Sequence, residues 1–325
     1  MTTATSDVHI DRRVELMSIV CALAGFKEYT LGKVNPYRTE MVAAFRGFVQ
    51  HPAVVMARDL RAQHGIGFDA PMILALHLDD QLALRNAAEL PQLDARWKGV
   101  DAEAYAALLR NFAREAKLDE FMAAHREHYT KVEAVLRDAV DAEKAIAWFD
   151  GVFGVRAKAH YTVIAAPMMG TLSVGVRATR ADGTLDMYQL ISIDTDSGIP
   201  VVNSDLTYLL VHEMAHSYVN PHLAEHEAEL GPPAQKLFAQ VQDKMRAQAY
   251  PTWQIFLNES VVRATTLVYF GDKKDPEMAA KALAFELNNG FRWTKELAEL
   301  IRAYRADHVD YVPRLVALLA QLGQG

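Results

Sequence analysis

The architecture follows from one stretch, Ser204-Asp205-Leu206-Thr207-Tyr208-Leu209-Leu210-Val211-His212-Glu213-Met214-Ala215-His216-Ser217-Tyr218-Val219-Asn220-Pro221. Ser204-Asp205 offers an N-cap, and Leu, Val, Met, Ala and Tyr fill the positions around the two histidines. The pattern predicts a mostly buried helix over about 204–219, stopped by Asn220-Pro221. Inside it, His212-Glu213-Met214-Ala215-His216 is the pentad HExxH. Residues four apart stand one above the other on a helix, so His212 and His216 can present both imidazoles to one metal ion. Zinc is the expected ion, because it takes nitrogen and oxygen ligands and keeps a position open for water. Glu213 projects from an adjacent angle and is the expected base for that water. Two histidines and a glutamate on a buried helix are costly without a shared purpose, which weighs against a purely structural role.

Such a centre needs a third ligand, and three residues compete for the place. Glu259 lies 43 residues beyond His216, in Asn258-Glu259-Ser260-Val261-Val262-Arg263-Ala264. Its apolar neighbours place Glu259 and Arg263 on a second buried-looking helix, the source of the third ligand in gluzincins. Glu259 is the favoured candidate; an i,i+4 pair with Arg263 and nothing more is the plain alternative. The metzincin pattern HExxHxxGxxH would instead use His222, ten residues after His212, but Val219 stands where that pattern has glycine. Finally, His222-Leu223-Ala224-Glu225-His226 has the inverzincin order HxxEH. It lies in a charged stretch, expected to be a solvated loop or an exposed helix.

His212 to Ser217, Asn220-Pro221 and Asn258 to Ala264 together resemble a bacterial family of gluzincin-like proteins catalogued as a domain of unknown function. Its pattern is an HE(F/M)xHS helix ending in Asn-Pro, followed by an NExxxRA helix. Arg13-Val14-Glu15-Leu16, His51-Pro52-Ala53-Val54 and Asp69-Ala70-Pro71-Met72 resemble it too, so the likeness spans most of the chain. The resemblance implies a zincin-like fold with His212, His216 and Glu259 as zinc ligands. It supplies no substrate.

Outward from the helix, residues 1–150 read as a mainly helical lobe. Composition changes at 151–200, where there is no glutamate and Val, Ile, Thr, Tyr and Gly take over. Strands are expected at Tyr161–Ala166, Thr171–Ala178 and Met187–Ile193, in a small and mainly antiparallel sheet. Either of the last two could offer an edge to an extended peptide. Helices are expected again at about 233–248, 253–270, 277–288, 293–305 and 310–322. The expected fold is α+β and zincin-like, with region 151–325 carrying the sheet, the HExxH helix and the C-terminal helices.

Around the metal, an oxyanion needs a hydrogen-bond donor. Tyr311 is the favoured candidate, with Tyr304 and His308 as alternatives; helix packing is the plain explanation of both tyrosines. Arg263 and Asn258 are expected to support Glu259 or to touch substrate.

The rest of the chain removes other classes. Its 325 residues are 51% hydrophobic and carry 34 Lys+Arg against 41 Asp+Glu, so no nucleic-acid footprint is expected. The one cysteine, Cys21, excludes an intramolecular disulfide and a cysteine-based zinc site, and reads as a core residue. Gly65-Ile66-Gly67-Phe68-Asp69-Ala70 fits GxGxxA but follows a helical segment, so it fails as a dinucleotide motif. His125-Arg126-Glu127-His128 reads as a solvated helix face. With no leader pattern and no apolar span, the chain is expected to be soluble and cytoplasmic unless a signal peptide has been removed, with no membrane partner. The expected activity is that of a zinc-dependent hydrolase, a metallopeptidase acting on a peptide or other small substrate. A zinc hydrolase of non-peptide amides or esters, and an inactive zincin-like binding protein, are the alternatives.

Overall fold

The computed structural model describes residues 6–139, 142–154, 159–179, 185–248, 250–273, 275–307 and 311–324. Two compact units emerge: Met1–Glu143 with Ala157–Leu206, and Lys144–Arg156 with Thr207–Gly325. A boundary at 150, set by composition, groups the sheet with the HExxH helix; contacts within the fold group it with the N-terminal helices.

In the first unit, β1 (Ser6–Ile10), β2 (Ala159–Ala166), β3 (Val174–Thr179) and β4 (Leu185–Ser192) form one sheet in the order β1-β2-β4-β3. β1 pairs with β2 in parallel, Ser6 facing Tyr161, and β2 pairs with β4 in parallel, Ala159 facing Leu185. Only β3 and β4 are antiparallel. The sheet is therefore mixed, and the mainly antiparallel expectation is corrected. Alternation marks a segment as a strand but carries no record of its neighbour. Here the chain passes from β2 to the far edge, forms β3, and returns as β4 between them. β3 keeps the edge expected of Thr171–Ala178, whereas Met187–Ile193 falls largely on central β4 and has no free edge to offer.

The first unit's helices are α1 (Arg12–Leu23), α2 (Lys27–Thr30), α3 (Pro36–Phe45), α4 (Pro52–His64), α5 (Ala70–Leu76), α6 (Leu90–Leu93), α7 (Ala102–Glu115), α8 (Leu118–Ala124) and α9 (Arg126–Ala139). Asp11 caps α1 by accepting from the Arg13 N–H. From Arg13 to Cys21 every residue of α1 is buried, as befits a helix apolar on most sides, and Cys21 belongs to that core as expected. Gly170 has φ +64°, and a Cβ there would lie 2.2 Å from the Glu28 carbonyl oxygen, so only glycine fits. His125 and His128 are not on a solvated face: both rings pack on Tyr37, with centroids 5.1 and 5.0 Å away.

The second unit holds most of α10 (Ala142–Phe153), α11 (Ser204–Ala224) from Thr207 onward, α12 (Glu227–Ala247), α13 (Trp253–Asp272), α14 (Pro276–Asn288), α15 (Thr294–Asp307) and α16 (Tyr311–Leu322). α11 does not stop at 219 but continues through Pro221 to Ala224. Proline removes one N–H, and near a helix end that loss is bearable; the Pro221 carbonyl still accepts from the Glu225 N–H at 3.2 Å. α12 likewise begins before 233 and contains Pro232 and Pro233.

α13 is the hub, packing on α12, α14 and α15, with an unbroken buried run from Ser260 to Phe270. α10 is tied in by Phe149 stacking on Tyr218 at 5.0 Å, by Tyr218 Oη donating to Asp150 at 2.9 Å and by Trp148 Nε1 donating to Asp272 at 2.9 Å. Among the described residues, no helix is long and apolar enough to cross a membrane.

Candidate metal centre

α11 and α13 bring three ligand side chains to one point. One helical turn separates His212 from His216, and their Nε2 atoms face each other at 3.2 Å. Glu259 on α13 completes the group, with Oε1 3.3 Å from His216 Nε2 and Oε2 3.7 Å from His212 Nε2. These atoms form a possible metal-ligand set. Zinc bonds of about 2.0–2.1 Å at tetrahedral angles put neighbouring ligand atoms about 3.3 Å apart. The spacing, and the choice of two imidazoles and one carboxylate, fit such an ion.

A second layer holds these side chains in place. Asn220 Oδ1 lies 3.2 Å from His216 Nδ1, so Nδ1–H donates outward and Nε2 is the nitrogen that faces the site. Tyr208 stacks near the His212 ring at 6.0 Å. Arg263, one turn after Glu259, donates to its Oε2 at 3.0 Å, to the Tyr250 hydroxyl at 3.1 Å and to Glu286 Oε2 at 2.5 Å. The guanidinium also lies over the Phe291 ring, 4.1 Å from its centroid, a cation–π contact. Glu286, buried to 1% exposure, accepts from the Tyr208 hydroxyl as well. The i,i+4 pair of Glu259 and Arg263 is thus real, but it is one link in a longer chain.

Burial sets the electrostatics. It pushes the Glu213 carboxyl up to about 7 and holds His212 well below the ordinary histidine value. Burial works against His216 too, but the adjoining Glu259 carboxylate raises it to about 9. Glu259 itself is held far down: the His216 charge and hydrogen bond, His212 and Arg263 outweigh its burial.

Other expected residues lie elsewhere or do other work. His222 is not beside this trio; its ligand atom groups with those of Glu225 and His226. Tyr311 opens α16 and is buried, its ring 4.9 Å from Tyr304 and 5.4 Å from His222, with no hydrogen-bond partner for the hydroxyl among the described residues. Asn258 is half-buried beside Glu259. His308 falls outside the described residues. Four residues escaped the sequence reading: Tyr208, Asn220, Tyr250 and Glu286. Only Asn220 carried a local signal, since it stands four after His216.

A protein-family model described as Domain of unknown function (DUF4932) matches residues 7–314. The chain belongs to that family. In this DUF4932 protein the matched span includes all of the site residues, from Tyr208 to Phe291. No curated protein and no solved structure matches the chain.

Proposed function

We propose that the protein is a zinc-dependent hydrolase of the gluzincin type, with a zincin-like active-site arrangement, and that it cleaves peptide amides. The observation that carries this is the convergence of His212 Nε2, His216 Nε2 and a Glu259 oxygen at tetrahedral-ligand spacing. Zinc held by these residues supplies a charge that polarises a carbonyl and makes water easier to deprotonate.

The chain's own contribution is proton handling and orientation. Glu213 follows His212 directly and is buried, 7% exposed. Its raised proton affinity suits it to take a proton from attacking water and pass it to the leaving nitrogen. An intact carboxylate in that place also argues for catalysis over a structural site, which has no use for a base. Arg263 positions Glu259; with Glu259, Glu286 and Tyr250 already bonded to it, an anchoring role for a substrate carboxylate is disfavoured.

The test is zinc-loaded protein against a peptide library. Cleavage should stop with chelator and in Glu213→Gln, which should still bind zinc. Full turnover by Glu213→Gln would remove Glu213 from the mechanism. Cleavage of amide or ester substrates but no peptides would transfer the same machinery to a different substrate class.

A further inference from the structure

A second group of ligating side chains lies farther along α11. His222, Glu225 and His226 each offer one ligand atom, and these atoms lie within 4.8 Å of one another. His222 is in the last turn of α11, and Glu225 and His226 form the corner leading into α12. The corner is firmly bonded. The His226 N–H donates to the Leu223 carbonyl at 3.1 Å, and the N–H groups of Glu229 and Leu230 both donate to the His226 carbonyl at 3.1 Å.

Two further contacts frame the cluster. His226 Nδ1 is 3.1 Å from Glu229 Oε1. A carboxylate so placed fixes the ring of a ligating histidine and leaves Nε2 for the metal. His222, whose ring is 5.6 Å from that of His226, packs on the ring of the buried Tyr311. None of these groups serves the proposed hydrolysis.

We propose that His222, Glu225 and His226 form a second, weaker site for zinc or a similar borderline divalent ion, stapling the end of α11 to the start of α12. Two imidazoles with one carboxylate select such ions over magnesium or calcium, which prefer all-oxygen shells. The site is weaker because its ligands lie nearer the surface, where water competes for the ion, whereas the first trio already stands 3.2–3.7 Å apart among buried neighbours. Glu225 is exposed and both histidines are half-buried, so their side chains have room to turn onto an ion.

The experiment is zinc titration of metal-free full-length chain against a chromophoric chelator. Two equivalents per chain are expected, one tight and one weak. His226→Ala should remove the weak equivalent alone, and Glu225→Gln, which keeps the side-chain shape, should weaken it by about tenfold or more. His212→Ala should remove the tight equivalent alone. A wild-type chain that binds only the equivalent lost in His212→Ala overturns the second site, as does weak binding unchanged in both His226→Ala and Glu225→Gln. Calcium competing equally with zinc at the weak site overturns its assignment. A single equivalent lost in His226→Ala but kept in His212→Ala upholds this site and instead removes the hydrolase centre, so the two ideas fail separately.

Discussion

Arg263 Nη2 stands 3.0 Å from Glu259 Oε2, one helical turn away on α13, and the same guanidinium is bonded to Glu286. One cation thus lies between two buried carboxylates, and Glu259 offers its oxygens to the imidazoles from a fixed position. Counting neutral imidazoles, this group carries a net charge of about −1. It still attracts a dication, yet the arginine tempers the repulsion between the two carboxylates.

Removing that arginine should therefore damage the fold before the chemistry. Arg263→Met keeps much of the side-chain volume but leaves Glu259 and Glu286 without their shared cation. Breaking a buried pair of this kind costs about 3–5 kcal/mol. Arg263→Lys keeps the charge but loses the fork, so its loss should be smaller. Urea unfolding of metal-free protein measures both; a cost below about 1 kcal/mol for Arg263→Met would mean the carboxylates find other partners.

Asn220 offers a gentler probe. Its Oδ1 fixes the His216 tautomer from outside the ligand trio. Asn220→Ala should lower zinc affinity about 10- to 100-fold with little change in stability, the usual effect of losing a ligand's supporting partner. Asn220→Asp, which still accepts from Nδ1–H, should retain affinity. Chelator competition reads both, and equal affinity in wild type and Asn220→Ala would make the contact incidental.

These supporting residues mark the boundary of what the sequence reveals. His212, Glu213 and His216 share five residues of one helix, so their proximity is a matter of helical geometry. Glu259 was legible because an acidic residue inside Ile255–Val262 demands a purpose. Glu286 and Tyr250 lie on other segments, and only the tertiary packing of α13 brings them to Arg263. The sheet shows the same divide. β2 and β3 announce themselves by β-branched content, but the parallel pairing of β2 with β4 depends on where β3 is inserted, and the five-residue β1 is too short and polar to stand out. Pro221 misled because a proline reads as a stop in any helix, while its cost depends on how close it lies to the end.

Zinc uptake by the metal-free chain should release protons. His216 is raised to about 9 without the metal and so is protonated at neutral pH, but it must be neutral to ligate. Glu213, raised to about 7, is half-protonated there, and a nearby dication favours its ionised form. The sign follows: affinity should rise with pH up to about 9, by about tenfold per unit for each proton displaced, and level off above. Calorimetry in buffers of different ionisation heats should give between one and two protons at pH 7 and almost none well above 9. Affinity independent of pH between 7 and 9 would contradict the proton held by His216.

A titrating group of the first unit offers a test of stability alone. Glu15 on α1 is fully buried; it accepts from the Tyr37 hydroxyl at 2.5 Å, and that hydroxyl lies 2.7 Å from the Tyr129 hydroxyl. Burial raises its carboxyl from 4.5 to about 7 despite the Tyr37 bond. As pH climbs past 4.5 the unfolded chain sheds a proton that the folded chain keeps. Stability is thus full below 4.5 and falls as pH rises through 7, by about 3 kcal/mol in all. Glu15→Gln cannot ionise and still accepts from Tyr37. Any packing cost of its amide is the same at every pH, so the readout is the difference between two conditions. From pH 4 to pH 8, the stability of Glu15→Gln relative to wild type should improve by about 3 kcal/mol in urea unfolding. A constant offset across that range would mean that folding leaves the Glu15 proton affinity where it is in the open chain.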